Sequence, residues 1–168
     1  PEGYVALVIG ASYATKKLPL DSLQALCAQI PHPIILIGGK EEKEDGDQLA
    51  SQDPSRIVNT CGKYSLHESA LMVSKARVVI SHDTGMLYIA CAFEKNVIAI
   101  WGATSPALQV EPFMPSDSNA KVFQSIVPDL SCQPCSNFGT KTCPKGHFAC
   151  MKKQDLPEIA LQMEKMWN

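Results

Sequence analysis

The residues best placed to do chemistry lie in Val78-Val79-Ile80-Ser81-His82-Asp83-Thr84-Gly85, which runs into the apolar stretch Met86 to Ala90. β-Favouring residues lead into a polar turn, Asp83 is suited to cap a helix, and Gly85 lets backbone amides approach a ligand with no Cβ in the way. Strand, turn and helix in this order bind anions. The first amides of the helix are unpaired, and the positive end of its dipole stands over the strand's carboxyl end. A second candidate for holding phosphate is Gly10-Ala11-Ser12-Tyr13-Ala14-Thr15-Lys16-Lys17, a small, polar loop with two cations. A third group sits in the tail, where Cys132-Gln133-Pro134-Cys135 is followed by Cys143, His147 and Cys150. A C-x-x-C pair supplies half of a tetrahedral zinc shell, while the irregular spacing of the later cysteines equally suits packed or redox-sensitive thiols.

These loops need elements to position them. Continuous β-rich runs at Tyr4 to Ile9, Pro33 to Ile37, Arg56 to Asn59, Val78 to Ser81, Asn96 to Trp101 and Lys121 to Ile126 read as strands. Between them, helical patterns begin at Pro19 (Leu20, Leu23, Leu26, Cys27 and Ile30 on one face) and at Lys40, as a charged, exposed helix to Ala50. The capping box Ser65-Leu66-His67-Glu68 opens another, with Leu66, Ala70, Leu71 and Val73 expected inward. Ile89 to Phe93, apolar on all sides, predicts a helix packed against the sheet and its neighbours and not a surface one, and Asp155 to Glu158 starts a last helix with Leu156, Ile159, Met163 and Met166 in one stripe. Strands alternating with helices at this pitch predict an α/β fold, a Rossmann-like doubly wound parallel sheet. The loops Ser12 to Lys17, Gly39 to Glu42, Cys61 to Tyr64, Ser81 to Gly85 and Gly102 to Ser105 all follow strands, so they share one edge of it. No G-x-G-x-x-G follows the first strand and no P-loop is present, which argues against a dinucleotide oxidoreductase or a P-loop NTPase.

The 168 residues suit a single domain over 1–168, and the formal net charge of −2 suggests no nucleic-acid partner. No apolar run is long enough to span a bilayer and no signal peptide is visible. Pro1-Glu2-Gly3 reads as a linker entering a strand, so the chain is expected to be a piece of a longer protein. Cys27, Cys61 and Cys91 fall in contexts typical of reduced, buried thiols, and seven cysteines without secretory features point to a reducing, cytosolic compartment.

Taken together the loops resemble the C-terminal, donor-binding half of the family 9 glycosyltransferases, the lipopolysaccharide heptosyltransferases. The likeness is carried by Gly10-Ala11-Ser12 with Lys16-Lys17-Leu18-Pro19; by the block from Ser65 through Ser81-His82-Asp83-Thr84-Gly85 to Gly102-Ala103-Thr104-Ser105-Pro106; and by Cys132 to Cys135 with Cys143-Pro144 to Cys150-Met151. It implies a GT-B protein of two Rossmann-like domains. This half would grip an ADP-heptose, and an N-terminal half absent from the chain would bind the lipopolysaccharide core acceptor. Transfer would invert the anomeric carbon without a metal or other cofactor, at the cytoplasmic side and peripheral to the inner membrane.

By the same resemblance, Ser12 would bind phosphate and Lys16 would neutralise it. Asp83, Thr84 and Gly85 would meet the diphosphate and sugar, Glu42 would hydrogen-bond the ribose, and Tyr64 would pack on the adenine. The general base is expected on the absent half. Where the family has D-T-G-x-x-H, this chain has Tyr88 in the histidine's place, a neutral hydroxyl instead of a cationic donor. Tyr88 remains a donor-binding candidate, and heptose as the sugar is put in question. Two other readings stand beside the enzyme: a noncatalytic sugar-nucleotide-binding domain, and a zinc-stabilised interaction module built on the cysteine tail.

Overall fold

In a computed structural model, residues 3–168 are described. Of the expected linker, Pro1 and Glu2 lie outside them. Six strands form one sheet: β1 (Val5–Val8), β2 (Ile34–Ile37), β3 (Ile57–Asn59), β4 (Val78–His82), β5 (Asn96–Ile100) and β6 (Val122–Ser125). They lie in the order β3-β2-β1-β4-β5-β6, and every neighbouring pair is parallel. This is the expected doubly wound sheet, including the sixth strand.

The alternation of side chains along β1 divides the core. Val5, Leu7 and Ile9 face one layer with α1 (Leu20–Gln29) and α6 (Leu156–Trp167), while Ala6 and Val8 face the other with α3 (Leu66–Lys75) and α4 (Gly85–Ala92). Both faces are covered by helices, which is why the strands are apolar throughout and not alternating. Leu26, Ile34, Leu36, Ile80 and Ile98 are completely buried, each contributing about 2 kcal/mol by leaving water. The run after β2 forms a short 3₁₀ turn at Lys40–Glu42 and then α2 (Lys43–Gln52). A short helix α5 (Ala149–Lys152) precedes α6.

One expectation about a helix face is corrected. Leu66 and Leu71 do not point inward; they are 64% and 55% exposed, while Val73 is buried as expected and Ser69 is buried with it. The stripe Leu66, Ala70, Val73 and the stripe Ser69, Val73, Ala76 have the same helical spacing. The second stripe, with the smaller side chains, is the one turned to the core. As expected, α4 packs against β4, β5 and α3; it buries Leu87, Ala90 and Cys91, while Tyr88 and the following Phe93 are 39% and 48% exposed. Cys27, Cys61 and Cys91 are buried free thiols, as expected.

Candidate functional site

Strand order reverses between β1 and β4, the chain stepping outward to β2 and β3 on one side and to β5 and β6 on the other. The loop after β1 leads to α1 on one face, and the loop after β4 leads to α4 on the opposite face. They separate above the strand ends and leave a crevice, the usual ligand position in such sheets. Lys16 and Asp83 meet there. Lys16 Nζ is 2.8 Å from Asp83 Oδ2, with both side chains largely withdrawn from solvent.

Asp83 does not cap α4 as its position in the sequence suggests. Thr84 is the cap, its Oγ1 accepting from the Met86 amide at 3.2 Å. The Asp83 carboxylate is thereby released for tertiary contacts: besides Lys16, the Thr104 hydroxyl donates to Oδ2 at 2.8 Å and the Tyr88 hydroxyl reaches Oδ1 at 3.1 Å. That same Tyr88 hydroxyl lies 2.8 Å from the Val110 carbonyl, so one phenolic proton serves two acceptors. Burial, reinforced by the Asp83 charge, pushes the Tyr88 phenol above its ordinary range. Nothing lies within 4 Å of the position a Cβ would take on Gly85, so the start of α4 is open to a ligand.

Next to this pair is a cleft of about 600 Å³ lined by residues of four strand-end loops, among them Ser12, Gly39, Glu42, Tyr64, Thr84 and Gly85. Five of the residues expected from sequence thus share one cleft, and Lys16, Asp83 and Tyr88 form a connected cluster at its side. Glu42 is 6% exposed and holds the rim together: Oε1 pairs with Lys17 Nζ at 3.0 Å and Oε2 accepts from the Gly39 amide at 2.9 Å. Tyr64 is half exposed over the cleft.

Three participants were not singled out by sequence. In the sequence Lys17 is only half of a lysine pair and Thr104 only part of a polar loop. The third, His82, is fully buried at the end of β4. Its Nε2 accepts from the Leu18 amide at 3.0 Å, fixing the exit of the lysine loop, and its Nδ1 has no hydrogen-bond partner. Burial, with the nearby Lys17 charge, depresses its pKa to about 3.

Among the described residues no three His, Cys, Asp or Glu side chains are grouped to hold an ion. Cys132 Sγ and His147 Nε2 are 3.8 Å apart. Cys132, Cys135, Cys143 and Cys150 are all free thiols, and burial raises Cys150 to about 11. No helix among the described residues is long and apolar enough to cross a membrane.

The lipooligosaccharide heptosyltransferase 2 of Haemophilus influenzae is 28% identical over 79 residues, covering 45% of this chain and 23% of that protein. The structure of Escherichia coli ADP-heptose lps heptosyltransferase II superimposes over 98% of this chain and 46% of its own, with a TM-score of 0.74 at 14% identity. TibC of enterotoxigenic E. coli, described as a dodecameric iron-containing heptosyltransferase in complex with ADP-D-β-D-heptose, gives a TM-score of 0.68 at 15% identity over 99% of this chain and 45% of its own. At these identities the likeness establishes the fold, that of the C-terminal half of the GT-B heptosyltransferases. The chain therefore spans just under half the length of these solved relatives. The sequence model described as glycosyltransferase family 9 (heptosyltransferase) matches residues 1–143. A match that begins before β1 and ends beyond β6, taking in every loop of the cleft, is too long to be a local coincidence, and the chain belongs to glycosyltransferase family 9.

Proposed function

We propose that this chain is the donor-binding domain of an inverting glycosyltransferase that transfers heptose, or a related sugar, from an ADP-sugar to a lipopolysaccharide core acceptor. The single observation that carries the reading is the juxtaposition of the Lys16–Asp83 pair with the open start of α4 at the edge of a four-loop cleft. A diphosphate seated there meets helix amides, a dipole end and a lysine ammonium, all favourable to negative charge. Ser12 donates to phosphate, and Thr84 and Gly85 offer backbone donors beside it. Tyr64 supplies a half-exposed ring for the adenine. Glu42 already uses one acceptor site on each oxygen, and a carboxylate oxygen has a second to offer a ribose hydroxyl.

The chemistry then follows. An acceptor hydroxyl attacks the anomeric carbon from the face opposite the diphosphate, the bond to the diphosphate oxygen breaks, and ADP leaves with the electron pair. Negative charge grows on the leaving group, where Lys16 and the helix start stabilise it. The reading assigns that work to these groups and not to a divalent cation. The hydroxyl proton passes to a base on a separate N-terminal domain that binds the acceptor, so the isolated chain binds donor without turning it over. The protein is placed at the cytoplasmic side of the inner membrane, where such an acceptor is presented.

Calorimetric titration with ADP, UDP and GDP tests the donor assignment. Selective ADP binding, weakened but still measurable in Lys16→Met, supports it; binding of none of the three, or equal binding of all, refutes it.

A further inference from the structure

The tail between β6 and α5 has no regular structure, yet it doubles back onto the lysine loop. Thr15, 2% exposed, meets Thr140 in a closed set of hydrogen bonds. The Thr15 amide and hydroxyl both donate to the Thr140 carbonyl, at 3.2 and 2.9 Å, and the Thr140 amide donates to Thr15 Oγ1 at 2.7 Å. Gly139 next to it has φ +98°, and a Cβ built there would lie 2.8 Å from Tyr13 Cβ and 2.9 Å from Lys16 Cδ. The aliphatic stem of Lys16 therefore runs across a bare stretch of backbone on its way to Asp83.

The same segment is fastened to the other member of the ion pair. The Cys135 and Ser136 amides donate to the Ala103 carbonyl at 3.0 and 3.2 Å, and Gln133 Nε2 donates to the Gly102 carbonyl at 2.6 Å. Thr104, next in that loop, holds Asp83. The Ala103 amide donates to the Thr15 carbonyl at 3.0 Å and closes the ring. The tail thus spans the loop that carries Lys16 and the loop that orients Asp83.

We propose that Gly139 and Thr140 are positioning residues of the donor site, holding Lys16 in its phosphate-ready place through Thr15 and through the bare backbone beneath its stem. This rests on the reading of Lys16 as the diphosphate ligand. Lys16 sits on a three-residue 3₁₀ turn, Ala14–Lys16, which has little rigidity of its own. A lysine on a free loop would lose its rotamer freedom on every binding event; one already held loses less, and the difference appears as affinity. The cysteine-rich segment is in this view part of the donor site, with Gly139 and not a thiol as the residue that touches it.

A coupling cycle on the whole protein, with ADP as the calorimetric probe, separates this from a general structural role. Gly139→Ala is expected to weaken ADP about tenfold in the native background and to change it less than about twofold when Lys16 is already methionine. Equal losses in both backgrounds, or no loss in the native one, overturn the proposal. Should Gly139→Ala fail to fold, Thr15 carries the test. Thr15→Val, which leaves the Thr140 amide without its acceptor, is expected to lose about tenfold, and Thr15→Ser to retain native affinity. Native affinity in Thr15→Val, or an equal loss in both, overturns it. Unchanged ADP affinity in Lys16→Met alone defeats the donor-site reading itself, whereas a loss there with none in Gly139→Ala defeats only the positioning role.

Discussion

Lys16 Nζ stands 2.8 Å from Asp83 Oδ2, so a cation from the loop after β1 is held by an anion from the loop after β4, across the point where the strand order reverses. The two residues are far apart in sequence and are joined only because β1 and β4 are neighbours in the sheet, with Val8 opposite Ser81. Each loop alone is an ordinary polar connection. Their meeting makes a charged corner at the mouth of a cleft.

Removing the anion should cost more than removing the cation. Asp83→Ala leaves Lys16 and the Thr104 hydroxyl facing a largely buried space with no acceptor. Breaking a buried pair in this way costs about 3 kcal/mol, read as a lower urea midpoint with an unchanged slope. Lys16→Met leaves Asp83 still bonded to Thr104 and Tyr88, and its loss should be smaller. A larger loss for Lys16→Met than for Asp83→Ala would contradict the hub role given to Asp83.

Tyr88→Phe removes one hydroxyl shared between Asp83 Oδ1 and the Val110 carbonyl. The residue is 39% exposed, so water can replace part of what is lost. Destabilisation of about 1 kcal/mol is expected from the missing hydrogen bond, measured by urea unfolding. A loss as large as that of Asp83→Ala would mean that Tyr88, and not Lys16, is the principal partner of the carboxylate.

Much of this site is legible in the sequence, and the parts that are not share a physical cause. Strand runs and the loops that follow them fixed the sheet edge, because apolar continuity and turn chemistry are local signals. Ser65 and Glu68 announced the start of α3 for the same reason. The face of α3 is not a local signal: Leu66 and Ser69 each begin an acceptable stripe, and only tertiary packing selects the second. Asp83 has the residue type of a cap, but Thr84 caps α4 and the Asp83 carboxylate is bonded to Lys16 and Thr104. Thr140 carried no signal at all. A threonine in an irregular tail acquires meaning only from Thr15, 125 residues away.

Gly46 offers a test in which two effects oppose each other. It lies inside α2, where alanine is intrinsically better by about 1 kcal/mol. A Cβ there would run into the Asn59 side chain, which is itself fixed: its Nδ2 donates to the Lys43 carbonyl at 3.0 Å and to Asp47 at 2.7 Å, and its Oδ1 accepts from the Cys61 amide at 2.9 Å. A side chain with three bonds to keep cannot step aside cheaply. Overpacking of about 1–3 kcal/mol should outweigh the propensity gain, so Gly46→Ala is expected to lower the melting temperature. A rise would show that Asn59 yields.

His82 sets an acid limit on the fold. It is fully buried, its Nε2 must remain unprotonated to accept from Leu18, and burial together with the Lys17 charge depresses its pKa to about 3. In the unfolded chain the same imidazole titrates near its ordinary value of about 6.5. Between these values the unfolded state binds more protons than the folded one, so stability rises with pH through the window. Its contribution is complete above about 6.5 and is lost as the pH falls toward 3. From this group alone, unfolding free energy should drop by about 2 kcal/mol between pH 7 and pH 5. His82→Gln, which keeps an acceptor for the Leu18 amide but has no proton to gain, should flatten that part of the profile whatever its effect at neutral pH. Urea titrations of the two proteins at both pH values decide it, and parallel losses in both would place the acid sensitivity on another group.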